Sequence, residues 1–168
     1  MLFRSVVDAL AAPADPTGYL AAFGISIVND SPGTSIVIID DRFSYGGQAL
    51  VASSPHNMLT QINMNAAIQF ELVFSAPVTN VSFVRPTLLA GPNGILFPQW
   101  SATLFLDATP VSGPVGEGLG SYFTNQPAAT FNLPGAGNRL VFSSNGFGIA
   151  AFSAVVIDDL NFLTLPPP

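Results

Sequence analysis

The sequence predicts an all-β protein: an antiparallel β-sandwich of jelly-roll type, built from about ten short strands. Three observations carry that expectation. Apolar residues alternate at period two over most of the chain, the spacing of a half-buried strand. Glycine and proline are abundant, 15 of each, and cluster between the alternating runs. Helical spacing is confined to Val6–Ala12, which Pro13 and Pro16 close off.

In chain order, the expected strands begin with Phe3–Val7, Tyr19–Val28, Ser35–Ile39, Gln48–Ala52 and Ala66–Phe74. They continue with Val78–Arg85, Trp100–Leu106, Gly120–Thr124, Thr130–Leu133, Leu140–Ser143 and Ala150–Leu163. Turns are expected at Ser31-Pro32-Gly33, Gly46-Gly47, Gly91-Pro92-Asn93-Gly94, Ser112-Gly113-Pro114, Pro134-Gly135-Ala136-Gly137 and Asn145-Gly146. Each supplies residues that tolerate positive φ or preset it. Ala66 to Phe83 gives the clearest pair. Phe70, Leu72 and Phe74 point one way and Gln69 and Glu71 the other; after Ala76-Pro77, Val81 and Phe83 point inward. Thr87–Val111 is expected to hold long loops around Trp100, and loops at the end of a sandwich are where ligands bind. The organisation expected is one domain, residues 1–165, with a proline-rich end at 166–168.

Charge is scarce. Charged residues make 8% of the 168, against ~25% in an ordinary domain. The chain has no lysine, and its cations are Arg4, Arg42, Arg85 and Arg139. A net charge of −6 argues against nucleic acid and anionic membrane as partners. No apolar run approaches the ~20 residues of a spanning helix. Cysteine is absent, which excludes a disulfide framework and thiol chemistry. A mean hydropathy of +0.50 fits either a large β-core or apolar surface covered by copies of the same chain. Lysine is a usual guard of sheet edges, and its absence leads us to expect a homo-oligomer.

Three stretches resemble a known family. "VVDALAAPADPTGYLAAFGISI" (Val6–Ile27) is similar to the opening of bacterial extracellular sandwich domains of the PEP-CTERM exosortase-substrate type. "FELVFSAPVTNVSFV" (Phe70–Val84) resembles their central hairpin, and "SSNGFGIAAFSAVVIDDLNF" (Ser143–Phe162) their closing strand. The resemblance implies a location outside the cell or at its surface. The family's precursors carry a signal peptide and a C-terminal anchor; "MLFRSVVDAL" lacks a long apolar core. The chain is therefore expected to be a trimmed form.

The Ile-Asp-Asp ending is also similar to that of several carbohydrate-binding sandwich modules, in which one Asp helps to hold a structural Ca2+. Asp158 shares parity with Leu160 and Phe162, so it leans toward the core, where a carboxylate is costly unless paired or metal-bound. Calcium takes roughly six to eight oxygens. Asp8 is the expected second ligand, because first and last strands are often neighbours in such folds, and Asp15 could add an oxygen. The alternative is that Asp158 accepts backbone N–H groups in a bulge while Asp159 faces water. Asp40-Asp41 is read as a solvated turn, with a metal site as its alternative.

Trp100, Tyr45 and Tyr122 are the candidates for a sugar-stacking platform; the alternative for Trp100 is the start of a core strand with Ala102, Leu104 and Leu106. His56, the sole histidine, lies in a polar loop without a nucleophile elbow. The sole glutamates are Glu71, on an outer face, and Glu117, in the glycine-rich "GEGLG". Catalysis is therefore not expected. The function expected is a non-catalytic extracellular sandwich protein of a bacterial matrix or envelope that binds a polysaccharide. A self-assembling structural subunit is its alternative, and a glycan hydrolase a remote one.

Overall fold

A computed structural model describes residues 15–31, 34–40, 49–51, 57–62, 69–89, 95–97, 100–118, 120–122, 124–144 and 155–165. They form one short helix, α1 (Thr17–Ala21), and twelve strands. The first six strands are β1 (Ile25–Asn29), β2 (Ser35–Asp40), β3 (Ala49–Val51), β4 (Asn57–Ile62), β5 (Gln69–Arg85) and β6 (Thr87–Leu89). The rest are β7 (Ile95–Phe97), β8 (Trp100–Leu106), β9 (Thr109–Glu117), β10 (Gly120–Tyr122), β11 (Ala129–Ser143) and β12 (Val156–Thr164). Every named pairing is antiparallel. Among the described residues, no helix is long and apolar enough to cross a membrane.

Seven strands follow one path, β2-β4-β12-β5-β11-β8-β9, and β1, beside β5, is the eighth strand of the sheet. The path folds over itself because β5 and β11 each serve two layers. The first half of β5 pairs with β1 and with the second half of β11, which in turn carries β8 and then β9. The second half of β5 pairs with β12 and with the first half of β11, and β12 leads on to β4 and β2. The result is an antiparallel sandwich whose corners are two continuous bent strands.

The bends fall where turns were expected. The anticipated hairpin at Ala76-Pro77 is instead the middle of the 17-residue β5. Pro77 lacks an N–H but its carbonyl accepts Leu165 N–H at 2.9 Å, so the strand passes through proline at the cost of one ladder bond. Asn80, at φ 53°, then resets the side-chain parity. Phe70, Leu72, Phe74 and Val78 are buried before it, and Val81 and Phe83 after it. In β11, Pro134-Gly135-Ala136-Gly137 is likewise no turn: two register shifts absorb it, and Leu133 and Leu140 are both fully buried. Ser112-Gly113-Pro114 lies inside β9.

Other expectations are corrected. Tyr19–Val28 is not one strand. Asp15 accepts Thr17 N–H at 2.9 Å and Thr17 Oγ1–H at 2.7 Å, which starts α1 and holds the Asp15 carboxyl below its ordinary range. Gly24, at φ 70°, then redirects the chain into β1. Within Thr87–Val111 the described residues form β6, β7, β8 and the start of β9, and the rest of the expected loops, 90–94 and 98–99, lies outside the described residues. The candidates Phe3–Val7 and Val6–Ala12 lie outside the described residues, as does the 166–168 end.

Aromatic contacts tie the layers together. Phe70 stacks on Phe142 at 4.8 Å in one layer, and Phe142 meets Phe83 of the other at 5.4 Å. Phe74 touches Phe162 at 4.9 Å across the second half of the core. On the outer face, Arg139 pairs with Glu71 through Nη2–Oε1 at 2.6 Å and Nε–Oε2 at 2.8 Å, and its Nη1 donates to Asp107 O.

The tight approach of β11 to β8 yields a prediction. A Cβ on Gly137 would stand 2.6 Å from Phe105 O and 2.7 Å from Leu104 Cγ. Gly137→Ala is expected to lower unfolding free energy by about 1–3 kcal/mol. Chemical denaturation followed by Trp100 fluorescence checks this, and an unchanged midpoint would show that the two strands can separate freely.

Candidate functional site

At one end of the sandwich three elements converge: the last residue of β5, the first of β8 and the last of β9. Trp100 and Glu117 are direct cross-strand partners. Trp100 Nε1 donates to Glu117 Oε2 at 3.0 Å. From the other layer Arg85 reaches the same carboxylate, with Nη2 donating to Oε1 at 2.9 Å and Nε at 3.1 Å. Its Nη1 donates to Pro86 O at 2.7 Å and Pro127 O at 2.8 Å. The Arg85 side chain is 7% exposed and that of Glu117 20%. The guanidinium is thus desolvated and satisfied, while the carboxylate keeps one flank toward solvent.

Glu117 is also among the residues that line an open pocket of about 280 Å³, with Trp100, Ser101, Gly116, Ser143 and Ser144. Ser101 Oγ and Ser143 Oγ lie 3.1 Å apart across β8 and β11. A Cβ on Gly116 would overlap the Trp100 carbonyl and stand 2.9 Å from Ser101 Cα. Only glycine therefore lets β9 lie close enough for Glu117 to meet both partners. The pocket offers one carboxylate, three hydroxyls and peptide groups beside the edge of an indole. It is suited to a small ligand rich in hydroxyl groups.

Trp100 begins a core strand, in step with Ala102 and Leu104, while Leu106 at its far end is 40% exposed. The indole is 3% exposed and lies between Phe83, at 5.9 Å, and Phe131, at 4.9 Å. It is a wall of the pocket and not a stacking platform. The backbone of Tyr122 ends β10 opposite Ile95. Its side chain, like all of Tyr45, lies outside what the structure describes. Arg85 and Glu117 were not singled out from sequence as a pair.

The two aspartates of "AVVIDDLNF" shape the backbone of β12. Asp158 pairs with Val84 and Asn161 with Ser82, a shift that leaves an extra residue between them. Asp159 takes φ 45° there. Asp158, 1% exposed, accepts Asp159 N–H on Oδ1 at 2.8 Å, and Asn161 Nδ2 donates to Asp159 O at 2.7 Å. Among the described residues no three His, Cys, Asp or Glu converge as metal ligands. Asp15 is committed to α1, and Asp8 lies outside the described residues. Of the expected ligand pair Asp8 and Asp158, Asp158 alone lies among the described residues. Asp40 closes β2 opposite Asn57; Asp41 and His56 fall outside the described residues.

No family model matches the chain, and no curated protein is similar to it in sequence. Solved structures of similar shape include the following two. The family 32 carbohydrate-binding module of C. perfringens NanJ, solved with galactose, has 10% identity and a TM-score of 0.39, over 77% of this chain and 92% of that one. The catalytic domain of a GH87 α-1,3-glucanase, solved with tetrasaccharides, has 13% identity and a TM-score of 0.36, over 86% and 29% respectively. Likeness at that level bears on neither site nor ligand.

The buried ion pair makes a prediction about stability. Glu117→Gln removes a negative charge from beside a 7%-exposed guanidinium. A loss of about 3 kcal/mol is expected, at the lower end for a broken buried pair because Glu117 keeps some solvent. Arg85→Met combined with Glu117→Leu is expected to recover most of it, since no uncompensated charge remains. Urea denaturation of the three proteins decides; a double variant as weak as the single one would mean that the pair is more than a matched charge.

Proposed function

We propose that the chain is a non-catalytic extracellular β-sandwich protein of a bacterial matrix or cell envelope, and that it binds an uncharged saccharide in the pocket beside Glu117. The observation that carries the ligand class is the pocket lining: Glu117, whose carboxylate is held by Arg85 and Trp100, shares it with Ser101, Ser143 and Ser144. Hydroxyl groups can donate to the carboxylate and exchange bonds with the serines. The pair with Arg85 balances the charge of Glu117, so a neutral ligand enters at no electrostatic cost. Glycoside hydrolysis uses a pair of carboxylates, and Glu117 is the one carboxylate lining the pocket among the described residues. The family resemblance of Val6–Ile27, Phe70–Val84 and Ser143–Phe162 supports the extracellular setting.

The sole tryptophan sits in the pocket wall, so binding has a built-in reporter. Titration with neutral monosaccharides is expected to change Trp100 fluorescence saturably. Ser144→Ala and Ser101→Ala are each expected to weaken binding about three- to ten-fold. A fluorescence signal that no neutral sugar alters would remove the reading.

Self-assembly is the second reading, and β2 favours it. This strand ends the sheet path and carries Ile36, Val37, Ile38 and Ile39 without a lysine or proline. Among the described residues it has a neighbour on one side only, and strands of that composition recruit others along an open edge. Sedimentation is expected to show a homo-oligomer that Val37→Lys dissociates; a parent protein that stays monomeric at micromolar concentration excludes it.

A further inference from the structure

We infer that the saccharide is a linear chain rather than a single unit, and that it runs from the pocket across the strands along a polar row ending at Asp30. The inference rests on the proposed saccharide pocket and extends it. Register places Gly116 opposite Ser101, Ser101 opposite Ser143 and Ser143 opposite Gln69. Asp30 N–H donates to Gln69 O at 3.0 Å, which carries the row one strand further. The inward residues next to these are Trp100, Phe142 and Phe70, all buried, so Ser101, Ser143 and Gln69 point to the opposite, outer face. Gln69, Ser143 and Asp30 are exposed.

The row crosses four inter-strand gaps of about 4.8 Å, so its ends lie roughly 19 Å apart. Each gap is close to the length of one pyranose unit in an extended chain. Every member except glycine offers a hydrogen-bonding side chain, and none is a cation. Asp30 at one end and the Arg85-paired Glu117 at the other leave the row without a cation of its own to attract phosphate, sulfate or carboxylate groups. The adjacent row on the same face differs: there Thr103, Val141 and Glu71 align, with Val28 beyond them. Val28 is 42% exposed, and it and Val141 offer apolar contact to the C–H faces of sugar rings. A peptide would lie along the strands; a chain crossing them meets one polar group per step. Gly116 matters again, because a bare backbone at this position leaves the passage from pocket to row unobstructed.

The test uses isotope-labelled protein and backbone amide NMR. Glucose, galactose, xylose and N-acetylglucosamine are added as single units and as linear tetramers. For the sugar that binds, the single unit is expected to shift amides of the pocket, Ser101, Gly116, Glu117, Gly118, Ser143 and Ser144, and to leave Gln69 and Asp30 unshifted. Its tetramer is expected to shift Gln69 and Asp30 as well, and to bind about ten-fold tighter or more. Gln69→Ala, an exposed change that should not disturb folding, is expected to weaken the tetramer about five-fold and leave the single unit unaffected. Tetramer shifts confined to the pocket, or affinity independent of length, would overturn the inference while leaving the saccharide pocket in place. A panel in which no member shifts a pocket amide overturns both.

Discussion

A strand of 17 residues cannot lie straight in a domain of this size. At about 3.3 Å per residue it would run some 56 Å, whereas a compact chain of this length has a radius of gyration near 15 Å. β5 must therefore bend, and β11, its partner over nearly its whole length, must bend with it. The rest of the fold follows from how that bend is made. Asn80 changes parity on one strand and the Leu133–Arg139 irregularities do so on the other. Without those resets, one half of each strand would turn its apolar side chains to solvent. With them, both halves face the same core, and the two layers close on Phe70, Phe83 and Phe142.

The bend also decides where Arg85 goes. Continuing β5 into the second layer carries its last residue to the end of the sandwich, opposite the β8–β9 pair of the first layer. A guanidinium buried there would be heavily penalised alone. Glu117 and two proline carbonyls satisfy it, and the carboxylate is in turn fixed by Trp100. The polar site is thus a consequence of folding: a charge delivered by one layer is neutralised by a residue of the other, and the neutralising group is left with a solvent flank. Glu117 is fixed for the same reason, since rotating it away would break its bonds to both Arg85 and Trp100. A binding group preorganised in this way loses little entropy when a ligand arrives.

How much of this could be read from the sequence depends on whether the signal was local. Period-two alternation located Trp100–Leu106 as β8 and placed the buried residues of β5 on the correct parity, because burial on one face writes itself directly into composition. Continuity was not legible. Ala76-Pro77, Pro134–Gly137 and Gly113-Pro114 contain residues that make turns, yet the same residues make bulges and edge positions when neighbouring strands hold the chain on both sides. β9 was hidden by its own glycines and prolines, and Glu117 with it. In "IDDLNF" the doubled aspartate announced an irregularity, and the backbone bulge at Asp159 is one. The meeting of Arg85 with Glu117 is a contact between residues far apart in the chain. The one sequence signal was scarcity: with four cations in the chain, an arginine closing an apolar strand needs an acid, and there were two glutamates to choose from.

Lysine-free edges raise the question of what keeps sheets from pairing with one another. The described strands answer it differently at the two ends of the sheet path. β9, at one end, carries Pro110 and Pro114 and shifts register twice against β8. Prolines remove ladder donors and the shifts distort the edge, so a second strand finds no template there. This guarded edge is the one beside Gly116 and Glu117. β2, at the other end, has neither device. If both proposed readings hold, ligand binding and self-association would involve different described strands. A chain could add a neighbour along β2 while the pocket and the polar row stay accessible, which is the arrangement a matrix protein would need in order to hold a polysaccharide and its own copies together.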